Sequence, residues 1–142
     1  MSDGAMIALL PVVSEWSKLE YPHLTLVYAG EAQDLGSSAL NEMAKDASSL
    51  SMLTPKFSLL TTGIAEFGEE EKVDALRLKS NTVLLSMRRF VEKWNASKHP
   101  FVPHITIGPP GSLVGMKPTV VAFDRIAAKV GDEEIVFWLK DH

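Results

Sequence analysis

Two five-residue segments of this chain carry the same order of side chains, Pro22-His23-Leu24-Thr25-Leu26 and Pro103-His104-Ile105-Thr106-Ile107. Between them they hold two of the four histidines. Successive side chains of a β-strand point to opposite faces, so each segment would present an imidazole and a hydroxyl on one face and two aliphatic groups on the other. Average residue usage puts this pattern around a given histidine only about once in 2,000, which makes a chance pair among four histidines a poor explanation. Histidine changes charge near neutrality, so one imidazole can take a proton while another gives one. Set on opposite sides of a phosphorus atom, His23 and His104 would be the base and the acid, in either order, for in-line displacement. Thr25 and Thr106 would donate hydrogen bonds to the non-bridging oxygens, where charge grows in the transition state. These parts suit phosphodiester chemistry.

Other chemistries find less support. A zinc site needs at least three protein ligands, and neither segment has a nearby carboxylate or a His-x₃-His partner. The chain has no cysteine. It also lacks the Gly-x-Ser-x-Gly turn of serine hydrolases, the Gly-x₄-Gly-Lys-Ser/Thr phosphate loop and the dinucleotide-binding Gly-x-Gly-x-x-Gly pattern. The expectation is therefore no metal and no cofactor.

The elements that must position the two segments follow from hydrophobic periodicity. Ala5–Val13 is a continuous apolar run and reads as a buried strand. The first His segment opens a strand over His23–Ala29 that ends at Gly30. Leu40, Met43, Ala44, Ala47 and Leu50 recur at helical spacing, with Asp34, Ser37 or Ser38 available as caps and Thr54-Pro55 as the stop. Phe57–Phe67 and Lys72–Lys79 form a hairpin around an acidic turn. A second helix spans Asn81–Ala96, with Asn81 as its cap and Val83, Leu84, Met87, Phe90, Val91 and Trp94 as its apolar stripe. The second His segment opens another strand, and a last hairpin pairs Thr119–Val130 with Glu134–Lys140. The two hairpins and the two His segments suggest two halves of like construction. The expected fold is α/β (α+β): one domain over residues 1–142, bilobal, with two antiparallel-sheet lobes, flanking helices and a central cleft.

At 142 residues with 46% hydrophobic and 23% charged side chains, the chain is long enough to bury a core. No apolar run approaches the roughly 18 residues of a membrane span. Met6–Val13 lacks a preceding basic region and reads as a strand, not a signal peptide, so a cytoplasmic protein with no membrane contact is expected. A net charge of −4 argues against coating a long nucleic acid, whose affinity rests on many Lys and Arg contacts to phosphate. A nucleotide or an RNA end remains the expected partner. Trp16, Tyr21 and Phe101 lie close in sequence to the His segments and are candidates to stack on a base. Tyr28 lies an odd number of residues from His23, so simple alternation puts it on the other face. Arg88, Arg89, Lys93 and Lys98 read as the solvated face of a helix. Nothing in the sequence sets an oligomeric state.

The paired His-x-Thr-x tetrapeptides His23–Leu26 and His104–Ile107, roughly eighty residues apart, resemble those of the two-histidine (2H) phosphoesterase superfamily, which includes LigT-like cyclic phosphodiesterases. The compact size is similar to that of phage members. The resemblance implies a bilobal α/β fold. It also implies metal-independent hydrolysis of a 2′,3′-cyclic phosphate of a nucleotide or RNA, or of a cyclic oligonucleotide. On this basis His23 and His104 would be the acid–base pair, and Thr25 and Thr106 the phosphate contacts. The short Ser112–Pro118 segment leaves no room for a helix that larger relatives have there, which favours a small substrate. The competing expectation is a non-catalytic module of the same fold that binds or sequesters a nucleotide.

Overall fold

Among the described residues, aliphatic side chains along seven strands and helical repeats of apolar residues in two segments produce a mixed α+β fold with antiparallel strands. The computed structural model describes residues 4–12, 21–67, 73–108 and 120–141. Its elements in chain order are β1 (Gly4–Pro11), β2 (Leu24–Glu31), α1 (Ala39–Leu53), β3 (Phe57–Phe67), β4 (Val73–Leu78), α2 (Thr82–Val91), β5 (His104–Gly108), β6 (Val120–Val130) and β7 (Glu133–Trp138). Short 3₁₀ turns follow β2 and α2. The expected strands, helices and hairpins are present with boundaries shifted by a few residues. The Ser112–Pro118 segment lies outside the described residues. No helix among the described residues is long and apolar enough to cross a membrane.

Local chemistry explains the helix limits. The Asn81 side chain accepts a hydrogen bond from the Leu84 amide at 2.9 Å, which satisfies one of the unpaired donors at the start of α2. Ser38 stands at the start of α1 but its side chain makes no capping bond. Thr54 is extended because Pro55 follows it, and α1 ends there.

The strands of both halves meet in one sheet of order β1-β2-β5-β4-β3-β6-β7, and a further β1–β6 pairing closes the first six into a ring. The order is symmetric about the β2–β5 contact. β1 and β4 flank that centre, and β6 and β3 lie beyond them. β3, which follows β1, β2 and α1 in the chain, pairs with β4, whereas β6 returns to pair with β1. Each half therefore completes its part of the sheet with a strand from the other.

Both helices cover one face of this sheet. There Ile7, Leu9, Leu24, Leu26, Leu76, Ile105, Phe123 and Ile126 pack with Met43, Ala47 and Leu50 of α1 and Leu84, Met87 and Val91 of α2. One irregularity changes which residues reach that core. β1 pairs Ile7 with Val27 and Ala8 with Thr25, so Leu26 is an extra residue in β2. Alternation reverses at this bulge, and Val27 and Ala29 face the core after Leu24 and Leu26. Simple alternation had set Tyr28 opposite His23. The bulge undoes that, leaving Tyr28 exposed, with its hydroxyl donating to Glu31 at 2.6 Å. The Leu26 carbonyl accepts a hydrogen bond from the Arg88 guanidinium.

Phe123 is fully buried, with its ring 5.8 Å from that of Phe57. Phe123→Ala should cost about 3–5 kcal/mol, from lost transfer energy plus an unfilled cavity. Asn81→Ala should cost about 1 kcal/mol through the cap alone. Urea denaturation would measure both, and equal costs would contradict this placement of the core.

Candidate active site

The two His segments meet at the centre of the sheet. Leu24 of β2 and Ile105 of β5 are antiparallel partners, and both are completely buried on the helix-covered face. His23 and Thr25 flank Leu24, and His104 and Thr106 flank Ile105, so all four polar side chains belong to the opposite face. One further step of the antiparallel register sets His23 across from Thr106 and Thr25 across from His104. Side chains so paired typically have Cβ atoms about 5 Å apart. His23, Thr25 and His104 are partly buried, and Thr106 is exposed.

Each imidazole is oriented in the same way. His23 Nδ1 lies 2.8 Å from the Tyr21 carbonyl oxygen, and His104 Nδ1 lies 2.7 Å from that of Val102. A carbonyl oxygen only accepts, so Nδ1 carries the proton in both rings. The prolines of the repeated pattern have a role here. A proline restricts the backbone of the residue before it, so Pro22 and Pro103 limit the conformations of Tyr21 and Val102, whose carbonyls anchor the histidines.

The surroundings of the two rings differ. The Tyr21 ring lies 4.9 Å from the His23 ring, tilted by 44°. Its hydroxyl donates to Glu134 on β7, and the Lys129 ammonium of β6 stands 4.7 Å from its centroid. Burial pushes the Tyr21 hydroxyl pKa upward, and the bond to Glu134 adds to this. Burial is also the main reason that the His23 pKa falls below its ordinary value, and the charges of His104 and Lys129 push it the same way. The Tyr21 carbonyl and Glu134 oppose the shift. Thr25 donates to the Met6 sulfur at 3.6 Å, a weak acceptor. Beside the second ring, Arg77 of β4 is the cross-strand partner of His104, and Ala75 is that of Thr106.

The stacking candidates have separate fates. Tyr21 lies against His23. Phe101 packs against the core with the Arg88 guanidinium 4.8 Å from its ring centroid. Trp16 lies outside the described residues. Lys93 is exposed and bonds Asp46 at 3.1 Å, but Arg88 departs from the expected solvated face: its side chain is only 14% exposed and bonds Glu92 at 2.6 Å as well as the Leu26 carbonyl. Sequence inspection missed Lys129, Glu134 and Arg77. Lys129 and Glu134 are a cross-strand pair of opposite charge in the last hairpin, and that charge alternation was the available signal. Among the described residues no group of three or more His, Asp or Glu side chains is arranged to hold a metal ion.

Comparison with known proteins agrees with this architecture. No curated protein matches the chain. Among solved structures, Usb1 of Kluyveromyces marxianus is similar over 97% of this chain and 99% of its own, with 14% identity and a TM-score of 0.66. LigT of E. coli in its apo form is 18% identical over 97% of this chain and 95% of its own, with a TM-score of 0.58. TT0787 of Thermus thermophilus is 17% identical over 96% and 95%, with a TM-score of 0.57. The family model of the 2′-5′ RNA ligase superfamily matches residues 14–139, nearly the whole sequence with both His segments, and the chain belongs to that superfamily.

Proposed function

We propose that this protein is a metal-independent phosphodiesterase that opens the 2′,3′-cyclic phosphate of a nucleotide or an RNA end, or hydrolyses a cyclic oligonucleotide. The observation that supports this proposal is the matched Nδ1 anchoring of His23 and His104 on either side of the pairing of two adjoining strands. One neutral Nε2 takes a proton from water as its oxygen attacks phosphorus. The other ring, protonated, gives its Nε2 proton to the departing ribose 3′ oxygen, and a 2′-phosphate remains. Thr25 and Thr106 donate to the non-bridging oxygens. Thr25 is suited to this because the Met6 sulfur is a weak acceptor that a phosphate oxygen readily replaces. Membership of the superfamily supports phosphoesterase activity, and the related E. coli LigT has been solved with 3′-AMP and with phosphate.

Turnover of 2′,3′-cyclic mononucleotides and of cyclic-phosphate RNA ends should persist in EDTA. His23→Ala and His104→Ala should each lower kcat by about 10²–10⁴-fold, with the fold intact by circular dichroism. Thr25→Val should lower kcat/KM without loss of the protonation behaviour of His23. Retention of a nucleotide with no turnover by the wild type would instead identify a binding module.

The depressed pKa of His23 has a definite sign. The unfolded chain takes up the His23 proton first as the pH falls, so the folded state loses stability below about pH 6.5 and regains it toward neutrality. An NMR titration should give a His23 midpoint below that of a free imidazole. In His104→Ala the midpoint should rise, yet stay below the free value because burial is the larger cause. A midpoint at or above the free value would contradict this account of the site.

A further inference from the structure

Arg77 occupies a place that the proposed mechanism does not use. It is the cross-strand partner of His104 on one side and of Gly63 on the other. Leu76 and Leu78 point into the core, so Arg77 belongs to the face that carries His104. Its side chain is exposed. Arg88 is held by Glu92, and Arg125 by Asp124 and the Pro11 carbonyl. Among the described residues no carboxylate holds Arg77. Next to it, the register slips between Thr61 and Gly63, and Gly63 has φ +151°, which glycine alone adopts readily. A Cβ built on Gly63 would meet nothing within 4 Å. The row His104, Arg77, Gly63 thus runs from an imidazole through an unpaired guanidinium to open space, with strands about 4.8 Å apart. On the other side of the centre, Lys129 is engaged with the Tyr21 ring.

We infer that Arg77 forms an anion subsite beside His104 that takes a second phosphate of the substrate, the 5′-phosphate of the nucleotide whose cyclic phosphate is opened. This rests on the hydrolase proposal above and narrows it to substrates that carry a phosphate on both sides of one ribose. A planar guanidinium fork matches two phosphate oxygens, and the unfilled space over Gly63 leaves room for them. The span of one to two strand spacings from His104 suits two phosphates on the same sugar.

The test compares a nucleoside 2′,3′-cyclic phosphate with and without a 5′-phosphate, using wild type, Arg77→Ala and Arg77→Lys. The 5′-phosphate should raise wild-type kcat/KM about tenfold. Arg77→Ala should erase that advantage, and Arg77→Lys should restore part of it. Calorimetry with the nucleoside 2′,5′-bisphosphate and the 2′-monophosphate reads the subsite without catalysis. A preference for the bisphosphate that survives Arg77→Ala, or no preference in the wild type, would overturn the subsite. Arg77-dependent preference without hydrolysis of either cyclic compound would support the subsite and defeat the hydrolase proposal.

Discussion

The pairing of Leu24 with Ile105 joins two parts of the chain that lie far apart in sequence, and the chemistry depends on where that pair sits. Both side chains are fully buried under the helices, so moving either strand by one residue would expose an aliphatic group and drive an imidazole or a hydroxyl into the core. The cost of such a slip fixes the facing of His23, Thr25, His104 and Thr106 more firmly than any contact among those four. The hydrophobic partner of each functional side chain, one residue away, does the positioning.

A second layer of control comes from the backbone. Each histidine is held by a carbonyl two residues earlier, across an intervening proline, so its tautomer is set within the segment itself. The repeated sequence therefore brings its own orientation device, and the rest of the fold adds differences between the two copies. The first ring has Tyr21 against it, itself held by Glu134 and Lys129, whereas the second has Arg77 as its cross-strand partner and Thr106 exposed. Two rings with one local design come to have unlike electrostatic surroundings.

Much of the fold was legible in the sequence, because strand alternation and helical spacing are local properties. The β3–β4 and β6–β7 hairpins, the Asn81 cap and the stop at Thr54-Pro55 all follow from neighbours a few residues apart. The facing of Tyr28 did not follow, since the extra residue at Leu26 is defined only by the partner strand. Lys129, Glu134 and Arg77 were missed for a related reason. Their closeness to the histidines is set by register between strands distant in sequence, and a single sequence carries no record of that register. Arg88 shows the same limit from the other side, since helical spacing set it on a solvated face, while its bond to the Leu26 carbonyl draws it inward.

The interleaving of the sheet bears on how this molecule can move and fail. β3 completes the strands of the second half and β6 those of the first, with β3 and β6 also paired to each other. A clamshell motion of one half against the other would have to break backbone ladders, so the walls of the site form a rigid frame and adaptation to a ligand falls to side chains and connecting segments. Neither half has a complete sheet of its own, and a proteolytic cut or a truncation in one would deprive the other of an inner strand. Loss of order in this protein is accordingly a single collective event, in which both histidines leave their places together.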